Sequence, residues 1–267
     1  MPFAELSTAH TVQYVENAEL GYNAQEDKLP IVTIHGLGSS QNYYVPVMPY
    51  LDGHRVVALS NYGAARSKSR GEKLTMEELA EDVVALMDYL KIPKAVVVGH
   101  SMGGPMALTV AARHPDRVAG VVAIGPVNPH RVRPEMFTSR IETVTNHGME
   151  PLANTVPKAA TGSKSTPLMW AMIRELILNQ EPKSYASHCD AIVNIKDPGF
   201  DKMKTPVLLL AGKEDPSTPL EGVQNIHERL GSPRKELKVY DGVGHWHCIE
   251  VPDLVGGDIK AFAASLA

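Results

Sequence analysis

Cysteine is almost missing from this chain: Cys189 and Cys248 are the only two in 267 residues. Two thiols cannot staple a disulfide scaffold, and such sparse usage points to a reducing compartment. An excess of positive charge is missing too. Twenty-six Lys and Arg face 30 Asp and Glu, for a net charge of −4, with no extended run of like charges. A nucleic-acid partner or an anionic membrane surface selects for a basic patch, so both are excluded as expectations. No apolar stretch approaches the roughly 18 residues that span a bilayer. The opening Met1-Pro2-Phe3-Ala4-Glu5 lacks the basic stretch and apolar core of a secretory signal. Internal repeats and low-complexity tracts are absent as well. What is there, 43% hydrophobic and 21% charged residues, describes a globular protein with a full core. Its length fits one large domain, or one domain carrying an insertion. The expected setting is the cytoplasm.

The first half alternates short apolar runs with amphipathic segments. Thr11 to Val15, Ile31 to Ile34, Arg55 to Leu59, Ala95 to Val98 and Val118 to Ile124 read as strands. A Thr-x-x-Glu capping box at Thr75 and Glu78 opens a helix whose buried face carries Leu79, Val83, Leu86 and Leu90. A second helix runs from Met102 to about Arg113 and is stopped by His114-Pro115. Strands alternating with helices imply crossovers and a mostly parallel sheet. The alternation breaks between 128 and 202. There Met149, Leu152, Ala153 and Val156, and then Leu168, Met172, Leu176 and Ile177, recur at helical spacing. Strands resume at Pro206 to Leu210 and at Leu237 to Tyr240, with a helix from Leu220 to Leu230 between them and a last helix from Pro252. The organisation is a core of 1–127 and 203–267 around a helical insertion at 128–202. The insertion is expected over the C-terminal edge of the sheet, where open α/β folds bind ligands.

Gly99-His100-Ser101-Met102-Gly103 fits G-x-S-x-G and lies between a clean strand and a clean helix, the context that motif requires. A strand that reverses straight into a helix strains its middle residue and needs nearly side-chain-free neighbours. Ser101 then projects at a helix N-terminus, where the amide of Met102 meets a developing oxyanion. Serine alone is a weak nucleophile and needs a base and an orienting acid, in the chain order Ser, acid, His. Ala211 to Pro216 follows one strand and offers Asp215, with Glu214 as its rival. Asp241 to His245 follows the next and offers His245, with His247 as its rival. A metal on His245, His247 and Cys248 fits no standard zinc spacing. His35-Gly36-Leu37-Gly38 supplies a glycine turn whose Leu37 amide is the second oxyanion donor.

Together these residues resemble the α/β-hydrolase superfamily along essentially the whole chain. The insertion resembles that of the 3-oxoadipate enol-lactonases, through Arg140 to Ala153 and Ser184 to Ile192. The resemblance implies a mostly parallel central sheet flanked by helices, with a helical cap inserted after the sixth strand. It also implies hydrolysis of a small ester or lactone through an acyl-serine, with no metal and no organic cofactor. Ser101 attacks, His245 moves the proton, Asp215 orients His245, and the Leu37 and Met102 amides hold the oxyanion. Trp170, Met172 and Trp246 are the candidate substrate contacts. One stretch departs from the family pattern Asp-x-x-Gly-x-Gly-x-Ser: here it reads Ser60-Asn61-Tyr62-Gly63-Ala64-Ala65-Arg66-Ser67. The departure leaves hydrolysis intact and the substrate open. A dicarboxylic-type lactone would need a cation, for which Arg131, Arg133 and Arg140 are the candidates. Two other readings share the triad: a carbon–carbon bond hydrolase, and a non-catalytic small-molecule receptor on the same fold.

Overall fold

A computed structural model describes residues 2–266. The chain begins with an antiparallel pair, β1 (Phe3–Glu5) and β2 (Thr11–Glu16). It continues through β3 (Ile31–Ile34), β4 (Val56–Leu59), α1 (Met76–Tyr89), β5 (Ala95–His100), α2 (Gly103–Arg113) and β6 (Val118–Ile124). Four consecutive helices follow: α3 (Pro134–His147), α4 (Glu150–Ala159), α5 (Pro167–Leu178) and α6 (Pro182–Val193). The chain then returns through β7 (Val207–Gly212), α7 (Leu220–Arg229), β8 (Lys235–Tyr240), the single turn α8 (His247–Glu250) and α9 (Pro252–Ala264). The eight strands form one sheet in the order β1-β2-β4-β3-β5-β6-β7-β8. Every pairing from β4 to β8 is parallel.

The sequence dictates this layering. Strands β3 to β7 are buried at almost every position, as parallel strands covered by helices on both faces must be. Strand β8 closes the sheet and alternates between partly exposed and exposed residues until Tyr240. The Thr75–Glu78 capping box forms, with the Thr75 hydroxyl accepting from the Glu78 amide and the Glu78 carboxylate accepting from the Thr75 amide. Helix α2 begins at Gly103, one residue later than the sequence suggests, because Met102 is still part of the turn. Strand β1 is only three residues long, too short for a periodic signal, and sequence reading passes over it. The same holds for the 3-10 helical stretch Gln41–Leu51, which carries Pro46 and Pro49. Among the described residues no helix is long and apolar enough to cross a membrane.

Candidate active site

The turn after β5 is shaped by close approaches that only glycine permits. A Cβ on Gly99 would lie 1.9 Å from the Gly103 carbonyl oxygen, and one on Gly103 would lie 2.3 Å from that of Ile34. Between them Ser101 holds φ at +53°, a left-handed conformation that costs a non-glycine residue on the order of 1 kcal/mol or more. Neighbouring backbone fixes it there. The Ser101 amide donates to the Ile124 carbonyl at 2.9 Å, and its carbonyl accepts from the amides of Gly104 and Val127. The hydroxyl is thereby aimed at a cavity between the sheet edge and the four inserted helices.

Ser101 Oγ lies 3.0 Å from His245 Nε2, and His245 Nδ1 lies 2.8 Å from Asp215 Oδ2. All three residues are buried. The other oxygen of Asp215 accepts from the Ser217 and Thr218 amides, and the Thr218 hydroxyl donates to Oδ2 at 2.7 Å. Burial works to raise the Asp215 carboxyl pKa, but His245 beside it and these donors hold it below the usual carboxylate range. Asp215 is thus an anion ready to face an imidazolium. Glu214 points elsewhere: its carboxylate accepts from the amide and hydroxyl of Ser163 in the inserted segment. His247 does not reach Ser101. Its Nδ1 donates to the His245 carbonyl at 2.9 Å, and His100 Nε2 donates to the same oxygen at 2.8 Å.

The loop carrying His245 is also pinned from above. Its amide donates to the Ala160 carbonyl at 2.7 Å. The buried Glu250 carboxylate accepts from the amides of Gly162, Gly244 and Trp246. Inserted helices and histidine loop are therefore joined through backbone groups. Neither Glu250 nor Thr218 was legible in the sequence, because their partners are backbone amides that only the fold brings near. Of the expected oxyanion donors, Met102 follows Ser101 in the chain and Leu37 lines the same cavity. Neither the Leu37 nor the Met102 amide donates to a protein acceptor among the described residues. Gln180 of the insertion braces this side, its side chain donating to the Ser39 carbonyl at 3.0 Å.

The candidate substrate contacts divide. Trp246 lines the cavity with Leu37, Ser101 and His245. Trp170 and Met172 do not, which corrects the expectation for both. Helix α5 turns Leu176 and Ile177 inward as expected, together with Ile173 in place of Met172, and leaves Leu168 80% exposed. Trp170 instead donates to the hydroxyls of Thr161 and Ser165, bracing the α4–α5 connection. Met172 lines a separate groove with Asn42 and Glu175. Of the three arginines, Arg140 reaches the cavity at Ser101, where Phe137 and Tyr185 also lie. The divergent stretch at 60–67 does not line that cavity. Ser60 Oγ donates to Gln41 Oε1 and the Ser67 hydroxyl donates to the Ser60 carbonyl, a neutral buried cluster in place of an aspartate. No group of three or more His, Cys, Asp or Glu is arranged to hold a metal ion among the described residues.

Four buried histidines around the site set its acid tolerance. His35 donates from Nδ1 to the Gly36 carbonyl and accepts the Asn61 amide at Nε2, so a second proton has no acceptor. Burial lowers its pKa to about 3, those of His188 and His247 to about 4, and that of His100 well below the ordinary value. In the unfolded chain these rings titrate near 6.5, so below that pH the unfolded state binds more protons. Stability therefore falls as pH drops from about 6.5 toward about 4. Burial raises the carboxyls of Asp82 and Glu250, which opposes the loss only near their own titration. Calorimetry at pH 8, 6 and 5 is expected to show Tm falling below pH 6.5, with uptake of roughly three protons on unfolding at pH 5. An equal Tm at pH 8 and pH 5 would refute this.

A family model described as the alpha/beta hydrolase fold matches residues 30–252. A Caulobacter sp. (strain K31) protein provisionally named carbamate hydrolase RutD is 26% identical over 257 residues, covering 90% of this chain and 92% of the relative. The 3-oxoadipate enol-lactonase 2 of Acinetobacter baylyi is 25% identical over 214 residues, covering 77% of this chain and 79% of the relative. Among solved structures, the enol-lactonase from Burkholderia xenovorans LB400 superposes with a TM-score of 0.87 at 26% identity, covering 98% of this chain and 100% of that one.

Proposed function

The chain belongs to the alpha/beta hydrolase fold family, and from that membership we propose that it hydrolyses a small carboxylic ester or lactone through an acyl intermediate on Ser101. One observation carries this reading: an unbroken relay from Ser101 Oγ through His245 to Asp215, with contacts of 3.0 and 2.8 Å, at a buried cavity. The enol-lactonase relatives support the substrate class.

The chemistry follows from the geometry. Ser101 Oγ attacks the carbonyl carbon as its proton passes to His245 Nε2. The carbonyl oxygen becomes an oxyanion and takes hydrogen bonds from the uncommitted Leu37 and Met102 amides. Collapse of this intermediate breaks the bond to the alcohol oxygen, which receives the proton from His245. Water then attacks the acyl-serine, losing a proton to His245, and the acid departs as Ser101 recovers its hydrogen. Asp215 keeps the Nδ1 proton on His245 and balances the imidazolium charge in both halves.

The discriminating experiment is a hydrolysis screen of the purified protein. Short acyl esters or γ- and δ-lactones are expected to release acid, while a vinylogous diketone stays intact. Cleavage of the diketone alone would move the assignment to carbon–carbon bond hydrolysis.

A further inference from the structure

The catalytic cavity has a larger neighbour. The first encloses about 50 Å³ and the second about 330 Å³. Val127, Met136, Phe137, Ser217 and Thr218 line both, so the two meet along one wall. An apolar cavity of about 150 Å³ is enough to hold benzene. The catalytic cavity is therefore the tighter of the two and suits a short acyl group, whereas its neighbour has room for one or two rings.

We propose that this outer cavity is the leaving-group site, so that the preferred substrate is an open-chain ester of a short acid with a ring-sized, anionic alcohol or phenol. The proposal rests on the acyl-serine reading above and narrows it. Its orientation comes from the reaction. The carbonyl oxygen must turn toward the Leu37 and Met102 amides, so the leaving oxygen faces His245 to receive its proton. The outer cavity opens away from the Leu37 side: it joins the catalytic cavity through Ser217 and Thr218, which follow Asp215, whereas Leu37 lines only the catalytic one. A simple lactone keeps both halves in one ring and sends nothing there. The charge preference comes from the rim. Arg131 is committed to Glu221 at 2.6 Å. Arg133, which lines the same cavity, has no acidic partner among the described residues and meets the far end of the ligand with a free cation. Val132, Pro126 and Pro219 supply apolar wall for a ring.

Gly222 gives a clean way to fill the cavity. It lies on α7 in the cavity wall, and a Cβ there has nothing nearer than 4.0 Å, to Arg131 and Asn128. The test compares wild type with Gly222→Trp and the milder Gly222→Leu, both checked for folding by thermal melting. The substrates are ethyl acetate, 2-naphthyl acetate, 2-naphthyl octanoate, 4-acetoxybenzoate and its methyl ester. Gly222→Trp is expected to lower the naphthyl-to-ethyl ratio of kcat/KM for acetates by about tenfold or more, the size of one ring losing its burial. Gly222→Leu does the same to a smaller degree. Arg133→Gln is expected to lower the ratio of 4-acetoxybenzoate to its methyl ester by about threefold, as fits an exposed cation. An unchanged naphthyl-to-ethyl ratio in both folded Gly222 variants, with turnover still dependent on Ser101, overturns the leaving-group site alone. So does a Gly222 effect on acetate against octanoate, which would make the cavity an acyl site. Turnover that survives Ser101→Ala overturns the acyl-serine reading instead.

Discussion

Ser101→Ala is expected to leave a folded protein whose kcat on any ester it accepts falls by about a millionfold, the scale on which a serine nucleophile of a triad is lost. The fold is expected to survive because alanine carries the same Cβ into the same strained turn. The glycines that make that turn, Gly99 and Gly103, are untouched. What disappears is the oxygen 3.0 Å from His245 Nε2, and no neighbouring group replaces it. The residual rate comes from the oxyanion donors and the shape of the cavity alone. Steady-state kinetics on the ester or lactone that responds best in the screen measures the effect. A variant retaining a tenth of wild-type turnover would mean that another group attacks.

The second large effect concerns the acid. Asp215→Asn is expected to reduce kcat by about 10⁴-fold while the protein still folds. Asparagine can keep an acceptor toward the Ser217 and Thr218 amides, which now bind Asp215 Oδ1. Its NH₂ group would then face His245 Nδ1, which must become an acceptor and shift its proton to Nε2. In that tautomer His245 cannot take the serine proton, and the imidazolium loses its counter-charge. Glu214→Gln is expected to change kcat by no more than a few-fold, because that carboxylate holds only Ser163 in the inserted segment. Parallel kcat measurements on the two variants decide between them. A large loss at Glu214 with little at Asp215 would reverse the assignment of the acid.

How much of this was readable beforehand depends on what kind of partner each residue has. Ser101, Asp215 and His245 sit where three different strands end, and the apolar runs before them are continuous enough to locate those ends by pattern. The sheet was legible for the same reason, except at β1, where three residues carry no period. The cap was legible as helical and its facing mostly so. In α5 Leu176 and Ile177 turn inward as their period implies, but the first turns do not follow: Ile173 takes the inward place of Met172, and Leu168 is exposed. Periodicity identifies a helix, whereas its rotation about its own axis depends on packing neighbours that are remote in sequence. Trp170 was a plausible lining residue by size, and its indole went to two hydroxyls in the adjoining turn instead. Glu250 is the plainest case of an unreadable residue. A glutamate five positions after a histidine looks like surface charge until the fold brings three backbone amides to its carboxylate.

Those amides also tie the cap to the loop that carries His245. His245 is held at its amide by Ala160 and at its carbonyl by His100 and His247. Its backbone is therefore placed by the inserted helices on one side and by the core on the other. The ring itself is oriented by Asp215 at Nδ1, so the proposed base is preorganised at both levels.

The proposed reaction requires a covalent bond to one oxygen, Ser101 Oγ. The most direct measurement is intact-mass and peptide mapping of the wild-type protein after exposure to a fluorophosphonate probe at neutral pH. The predicted result is a single stoichiometric adduct on the peptide containing Ser101, slowed by a competing ester and absent from Ser101→Ala. An adduct on a different serine, or no adduct in a protein that still turns over esters, would contradict it.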